Sequence, residues 1–181
     1  MYQRVGKAAY KANLENTIKL AAYLDHPEQG FKSVHVAGTN GKGSTCAMLE
    51  HIYSKAGYRV GTYVSPHLLH YNERVRVNQQ NISDDDLCLA FSAIEAARGS
   101  VVLTYFEMGT LAAIWHFSKV NLDVILLEVG MGGRLDAVNA FESGKPLDAN
   151  VIRQHANKFS TSRFLEEFQN FVTDKFIKGE H

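Results

Sequence analysis

The sequence has few of the features that would set it apart from ordinary globular proteins. Its 181 residues include only two cysteines, Cys46 and Cys88, which are too few for a disulfide framework. No apolar run approaches the roughly 18 residues of a membrane span. Residues 1–20 also lack the apolar stretch of a secretory signal. We therefore expect a cytoplasmic protein with reduced thiols and no membrane partner.

An excess of charge of either sign is also missing. Lys and Arg together number 19, as do Asp and Glu, so the formal net charge is zero. Without a global basic field, the chain has no electrostatic attraction for nucleic acid or for an anionic membrane surface. We expect no nucleic-acid partner, and we expect a monomer. The length is sufficient for one domain with a hydrophobic core.

Apolar runs alternate with helical patterns and glycine turns along the chain. Residues 33–37 predict a short buried strand, residues 44–57 a helix that ends at Gly57, and residues 58–64 another strand. A strand, a glycine turn, a helix and a strand within about 30 residues form a βαβ unit and predict a parallel sheet. In residues 122–130, "LDVILLEVG", the apolar run is continuous, which is typical of a central strand buried on both faces.

Three further helices and one ambiguous segment complete the pattern. Residues 10–24 predict an amphipathic helix whose buried stripe holds Leu14, Ile18, Ala21 and Ala22. Residues 83–99 and 104–117 predict two more helices, the first with Ser83 and Asp86 in a capping pattern. Residues 72–77 fit either a short strand or a surface loop.

The stretch "VAGTNGKGST" between the first strand and its helix predicts a phosphate site. A helix N-terminus offers unpaired N–H groups and partial positive charge, and glycines let the backbone approach phosphate oxygens. Lys42 adds a mobile charge. The spelling departs from G-x-x-x-x-G-K-[ST], because Val36 stands at the first glycine position and Gly43 follows the lysine. A plain glycine turn is the alternative interpretation.

The same stretch resembles the phosphate loop of the Mur ligase superfamily and, within it, of the folylpolyglutamate synthase/dihydrofolate synthase family. Three more blocks follow in the family's order: "YVSPHLLHYNERVRVN" (63–78), "LTYFEMGTLAA" (103–113) and "LDVILLEVGMGGRLDAVN" (122–139). Four blocks in order make the resemblance specific. It covers roughly residues 10–140, which correspond to the first part of the family's ATP-binding domain.

The resemblance implies an α/β fold, namely a three-layer phosphate-loop domain with a mostly parallel sheet. It implies a ligase in which ATP phosphorylates a carboxylate and the amino group of L-glutamate then attacks the acyl phosphate, with dihydropteroate or folate as the acceptor. ATP and Mg²⁺ are the implied cofactors, and Mg²⁺ prefers hard oxygen ligands. The implied residues are Thr39, Asn40, Gly41, Lys42, Gly43, Ser44 and Thr45 for ATP, with Lys42 also catalytic; Ser65 and Glu128 for the metal; and Thr104, Arg134 and Asp136 for substrate.

Each of these residues has a simpler explanation when it is taken alone. Glu128 could be a local capping carboxylate, and Ser65 with Pro66 could be only a turn. Arg134 and Asp136 could form a surface ion pair worth less than about 1 kcal/mol. Elsewhere, His67 and His70 are better explained as surface histidines than as a metal pair, and Cys46 as a small core residue. The joint pattern favours the functional interpretation.

The resemblance ends after residue 141. The family continues with a strand and an Asp-His pair whose histidine is the third magnesium ligand, and this pattern is absent; we do not assign that role to His155. Residues 142–181 instead carry Phe164, Phe168 and Phe171 at helical spacing, which predicts a helical tail.

We therefore expect a partial ATP-binding domain in residues 1–141, a foreign tail, and the function of a truncated ligase. Two alternatives remain open. The chain could be a non-catalytic nucleotide-binding fragment or remnant, or it could be another Mur-type amino-acid ligase.

Overall fold

The structure is a computed structural model that describes residues 14–25, 31–130, 136–141 and 170. The chain divides into two units, Met1–Ser143 and Gly144–His181. Apart from Asn170, the predicted tail with its three phenylalanines lies outside the described residues, as does His155. The helical tail and the domain boundary at residue 141 stay predictions.

Helices and short strands alternate through the first unit, much as the sequence predicts. In chain order the elements are α1 (Leu14–Tyr23), β1 (Lys32–Val36), α2 (Lys42–Lys55), β2 (Val60–Tyr63), a 3₁₀ turn (Tyr71–Arg74), β3 (Val75–Val77), β4 (Gln80–Asn81), α3 (Asp84–Arg98), α4 (Tyr105–Lys119), β5 (Val124–Glu128) and a second 3₁₀ turn (Ala137–Phe141). The ambiguous segment 72–77 is thus part 3₁₀ turn and part strand. None of the described helices is long and apolar enough to cross a membrane.

The five strands form one sheet in the order β1-β5-β2-β3-β4. The strands β1, β5 and β2 are parallel, whereas β3 and β4 extend the sheet in antiparallel fashion. All five residues of β5 are buried, which confirms the prediction of a central strand. Because β1 and β2 both run parallel to β5, their carboxyl ends share one edge with the end of β5.

Helices cover both faces of the sheet and produce three layers, as expected. Along β5, Val124 and Leu126 pack with Val60 against the side chains of α2. The alternate residues Ile125 and Leu127 join a larger core with α1, α3 and α4 on the other face. The alternation of a strand therefore gives each face its own apolar layer.

The predicted buried stripe of α1 is confirmed at Ala21 and is wrong at Ile18 and Ala22. Ile18 is 51% exposed and Ala22 is exposed, whereas Thr17, Leu20 and Ala21 are buried. Turning Leu20 inward instead of Ala22 removes more apolar surface from water, which explains the observed face. The side chain of Leu14 lies outside the described part of the structure.

The start of α3 agrees with the predicted cap, and α4 begins at a cap that was not predicted. Ser83 precedes α3 and its hydroxyl accepts a hydrogen bond from the N–H of Asp86 at 3.1 Å. Thr104 precedes α4 and forms a reciprocal capping box with Glu107. Such caps satisfy helix N–H groups that have no partner within the helix.

The central strand predicts how stability responds to truncation of its side chains. Leu126→Ala should lower the free energy of unfolding by about 2–5 kcal/mol, because Leu126 is fully buried between β5 and α2 and the change leaves a cavity. Leu89→Ala is the matched control, since Leu89 is 59% exposed on α3. Urea unfolding followed by circular dichroism measures both. Equal losses in the two variants would contradict the central position of β5.

Candidate nucleotide and metal site

The phosphate loop turns sharply into helix α2. Gly41 has a φ of 75°, in the left-handed region that favours glycine, and α2 begins at the next residue. The helix thus starts two residues earlier than Ser44, where the sequence predicted it, and Lys42 and Gly43 belong to its first turn. The residues before Gly41 form a non-regular loop, so no continuous helix or strand runs through Asn40–Gly43.

Thr45 connects helix α2 to the loop by two hydrogen bonds. Its hydroxyl and its N–H both donate hydrogen bonds to the carbonyl oxygen of Gly41, each at 2.9 Å. This pair of bonds fixes the turn that directs the first N–H groups of α2 outward from the helix end. The predicted contact of Thr45 with phosphate stays a prediction.

Ser65 and Glu128 come together at the carboxyl edge of the sheet. Glu128 ends β5, Ser65 lies two residues beyond β2, and the N–H of Ser65 donates to Glu128 Oε2 at 2.9 Å. A Cβ built on Gly43 would lie 3.9 Å from the same oxygen. The carboxylate therefore faces the start of α2, on the phosphate-loop side of the sheet, as the metal-site hypothesis requires.

The donor atoms at this edge fit a magnesium site that phosphate and water would complete. Glu128 is 5% exposed and supplies a carboxylate, and Ser65 supplies a hydroxyl. Within the described ranges, no group of three His, Cys, Asp or Glu side chains could hold a metal by itself. Mg²⁺ commonly takes one or two protein oxygens and keeps waters and substrate phosphates as its other ligands.

A cleft of about 560 Å³ joins these elements. It carries charges of both signs, with Lys42 and Arg76 against Glu73 and Glu128. Of the seven residues predicted to bind ATP, all except Thr45 line it. The lining residues are Thr39, Asn40, Gly41, Lys42, Gly43, Ser44, Ala47, Val64, Ser65, Pro66, Leu68, Glu73, Arg76 and Glu128.

A buried ion pair next to this cleft was not predicted from the sequence. Glu50 of α2 is 3% exposed, and its carboxylate accepts from Arg76 Nη2 at 2.6 Å and from Nε at 3.1 Å. Arg76 also donates to the carbonyl oxygen of Glu73 at 3.3 Å. The pair links the phosphate-loop helix to β3. An arginine inside the short apolar strand "VRV" was the available signal.

Thr104, one of the predicted substrate residues, serves as a helix cap in this structure. Its hydroxyl accepts from the N–H of Glu107 at 3.2 Å, and its own N–H donates to the Glu107 carboxylate at 2.7 Å. Arg134 lies outside the described residues. The substrate contacts of both Thr104 and Arg134 stay predictions.

Asp136 is 1% exposed, so the alternative of a surface ion pair does not apply to it. Its Oδ1 accepts from the N–H of Val138 at 3.2 Å, at the start of the second 3₁₀ turn. A Cβ on Gly130 would lie 2.9 Å from Asp136 Oδ2 and 3.0 Å from a ring carbon of Phe106. Asp136 and Phe106 therefore meet at Gly130, two residues after Glu128.

The two histidines of the "SPHLLH" stretch differ in their surroundings. His67 is half-buried, and its Nδ1 accepts a hydrogen bond from Arg74 Nε at 2.7 Å. His70 is exposed and precedes the 3₁₀ turn. The expectation of a surface position is thus met by His70 and only partly by His67.

Cys46 lies on the buried side of α2, as expected of a small core residue. It is fully buried, and this burial, with the neighbouring charge of Glu128 as a smaller cause, raises the pKa of its thiol to about 12. The raised pKa means that the thiol stays protonated up to strongly alkaline pH. A protonated, buried thiol is a poor nucleophile.

Thiol labelling tests this environment. At pH 8 the native chain should react with about one equivalent of a thiol reagent, at the exposed Cys88, because the Cys46 thiol is buried and its raised pKa keeps it protonated at this pH. Cys88→Ser should abolish labelling of the native protein, while the same variant in denaturant should react once. Fast labelling of native Cys88→Ser would contradict the burial of Cys46.

Comparisons with known proteins find relatives of this chain among the folate ligases. The dihydrofolate synthase/folylpolyglutamate synthase of Escherichia coli K12 is 49% identical over 128 residues, which are 71% of this chain and 30% of that protein. No protein-family profile matches the chain. The chain spans about 30% of the length of the curated relatives it matches first.

Solved structures give the same relationship. Escherichia coli FolC in complex with DHPP and ADP superposes with a TM-score of 0.69 at 52% identity, over 71% of this chain and 31% of that one. The bifunctional folylpolyglutamate synthase/dihydrofolate synthase of Yersinia pestis, complexed with AMPPNP and Mn, gives a TM-score of 0.71 at 49% identity, over 76% and 33%. The chain therefore belongs, as a partial domain, to the folylpolyglutamate synthase/dihydrofolate synthase family.

Proposed function

We propose that this chain is the nucleotide- and metal-binding part of an ATP- and Mg²⁺-dependent ligase that joins L-glutamate to dihydropteroate or folate. The observation that supports this most is the convergence of the phosphate loop, Ser65 and Glu128 at one edge of the sheet. The relatives at about half identity carry the names of such ligases. One of the solved structures holds ADP, and another holds AMPPNP and Mn.

The residues of the loop would hold the ATP phosphates. The N–H groups at the start of α2 and the Lys42 ammonium face a cleft that also contains Glu128. Helix N-termini and a lysine together neutralise phosphate charge, and phosphoryl transfer depends mainly on such positioning and neutralisation. Lys42 lines the cleft, so its charge is available to a phosphate that binds there.

Glu128 and Ser65 would hold the divalent ion next to the phosphates. The hydrogen bond from the Ser65 N–H fixes the Glu128 carboxylate and leaves its other oxygen for a cation. When bound, Mg²⁺ would supply charge neutralisation at the transferred phosphoryl group. The hydroxyl of Ser65 would supply a second oxygen ligand to the ion.

The dihydropteroate or folate acceptor would bind near Gly130, next to the proposed metal site. Asp136 and Phe106 meet at Gly130, and Thr104 caps the helix that carries Phe106. This arrangement puts a buried carboxylate and an aromatic ring at Gly130, two residues after Glu128. A carboxylate and a ring are suitable partners for a flat heteroaromatic group with N–H donors.

The second candidate function is nucleotide binding without catalysis. The chain's coverage of about 30% of its relatives' length favours it. Ligation requires a bound nucleotide, a coordinated metal and a docked amine, and no described residue of this chain is assigned to the amine. The third interpretation, another Mur-type ligase, has less support because the relatives reported above carry the names of folate ligases.

Nucleotide titration tests the phosphate loop and the metal ligand separately. Lys42→Ala should weaken ADP binding by about tenfold or more, corresponding to about 1.4 kcal/mol, because one charged phosphate contact is lost. Glu128→Gln should leave metal-free ADP binding unchanged and remove the gain in affinity that Mn²⁺ provides. Isothermal titration calorimetry with and without Mn²⁺ measures both effects.

The control for the lysine is Lys55→Ala, since Lys55 is exposed at the other end of the same helix. It should bind ADP as the unaltered chain does. If Lys42→Ala and Lys55→Ala bind ADP equally well, the phosphate loop has been wrongly assigned.

A glutamate-incorporation assay tests the ligase itself. With dihydropteroate, ATP, Mg²⁺ and labelled glutamate, the isolated chain should give little or no amide product, because misplacement of a reactant by about 1 Å can already cost about a hundredfold in rate. Release of ADP that depends on both dihydropteroate and glutamate, and that disappears in Lys42→Ala, would show that this chain is a complete ligase.

A further inference from the structure

The segment between β2 and the first 3₁₀ turn, residues 65–70, exposes two large apolar side chains. Leu68 is 89% exposed and Leu69 is 82% exposed. Neither leucine can hold the segment in place by burial in the core. Leu68 nevertheless lines the same cleft as the phosphate loop. The conformation of the segment must therefore be maintained by polar contacts.

One carboxylate supplies these contacts. Glu73 accepts hydrogen bonds from three consecutive N–H groups, those of Leu68 at 2.7 Å, Leu69 at 2.9 Å and His70 at 2.8 Å. These three donors favour the charged form and hold the pKa of Glu73 at about 2. The carboxylate is thus ionised throughout the physiological range, and the segment is wrapped around a fixed negative charge.

Contacts with the rest of the fold hold Glu73 in place. The 3₁₀ turn that carries it is tied to the sheet, because the carbonyl oxygen of Arg74 accepts from the N–H of Val64 at 2.9 Å. Asn72 donates to the carbonyl oxygen of Ile82 at 2.8 Å and to Asp84 at 2.9 Å. The guanidinium of Arg74 packs over the rings of Tyr71 and Tyr105, at 5.3 Å and 5.5 Å from their centroids.

The segment is therefore anchored at each end, and the hydrogen bond from Arg74 to His67 adds a contact between the two ends. At its start, the N–H of Ser65 is bonded to Glu128, and at its end three N–H groups are bonded to Glu73. We propose that Glu73 is a positioning residue for the metal site: it holds residues 65–70 in the conformation that presents the Ser65 hydroxyl beside Glu128. This role rests on the proposed function of Ser65 and Glu128 as metal ligands.

The exposure of the leucines supports a positioning role over a purely structural one. Ordering a loop costs backbone entropy, and this segment recovers none of that cost by burying Leu68 or Leu69. What the ordering achieves is a fixed place for Ser65. Partners behind metal ligands commonly change metal affinity by about 10- to 100-fold when they are replaced.

The test separates metal affinity from nucleotide affinity. In Glu73→Gln the amide keeps one acceptor oxygen but turns an NH₂ group toward the remaining N–H donors. The full chain with this change should bind Mn²⁺ in the presence of saturating ADP about 10-fold or more weakly, and this loss should exceed any change in metal-free ADP affinity. The amides of Leu68, Leu69 and His70 should also exchange hydrogen faster.

Two further variants serve as controls. Glu73→Asp keeps the charge on a shorter side chain and should lie between the unaltered chain and Glu73→Gln in Mn²⁺ affinity. Glu95→Gln removes a carboxylate of the Glu95–Arg98 ion pair on α3, remote in sequence from the site, and should change neither affinity. Circular dichroism checks that each variant is folded. If Glu73→Gln does not fold, the Mn²⁺ affinity of Glu73→Asp is compared with that of the unaltered chain instead.

The outcomes distinguish the two levels of the proposal. If Glu73 variants exchange faster at residues 68–70 but bind Mn²⁺ as Glu95→Gln does, Glu73 is only a structural clamp and the positioning role is overturned. If the unaltered chain shows no Mn²⁺ dependence of ADP binding at all, the proposed function fails and the positioning role falls with it. A loss of Mn²⁺ affinity that exceeds any change in ADP affinity supports both.

Discussion

The parallel pairing of β5 with both β1 and β2 is the constraint on which the site depends. Val36 pairs with Glu128 on one side of β5, and Tyr63 pairs with Leu127 on the other. The phosphate loop follows β1, Ser65 follows β2, and Glu128 ends β5, so this register brings the three together. A shift of β5 by one residue would turn the Glu128 side chain to the opposite face of the sheet and separate it from Ser65 and Gly43.

The register also decides how charge is placed near the core. Val124, Leu126 and Glu128 share the α2 face of β5, so a strand that is apolar for most of its length ends in a buried carboxylate at the cleft. On the same side, the carboxylate of Glu50 is buried and paired with Arg76. Isolated buried charges are costly, and pairing or ligand binding offsets that cost. Glu50 has its partner in the fold, whereas Glu128 faces the cleft, where a cation would be its partner.

The sequence allowed prediction of those features that depend on local patterns. The continuous apolar run of β5, the Ser83 cap and the glycine turn before α2 were all predicted, because strand burial, capping and glycine conformation are set by nearby residues. The resemblance supplied Ser65 and Glu128, and the structure brings these two residues together. Their contacts with metal or substrate stay predictions.

Features set by long-range packing were not predictable in the same way. The face of α1 depends on what the rest of the fold offers to Leu20, and the start of α2 depends on the left-handed turn at Gly41. The Glu50–Arg76 pair joins residues 26 positions apart. Glu73 had only its place in "NERV" as a signal, and its three N–H partners appear only when the chain folds back over five residues.

Anomalous diffraction from crystals of this chain grown with ADP and Mn²⁺ would show whether the phosphate loop, Ser65 and Glu128 form a single site at the carboxyl edge of the sheet. We expect one manganese peak between the Ser65 hydroxyl, the Glu128 carboxylate and the β-phosphate, with that phosphate lying against the N–H groups of residues 41–44. A manganese peak away from Glu128, or ADP bound elsewhere than the loop, would contradict this expectation.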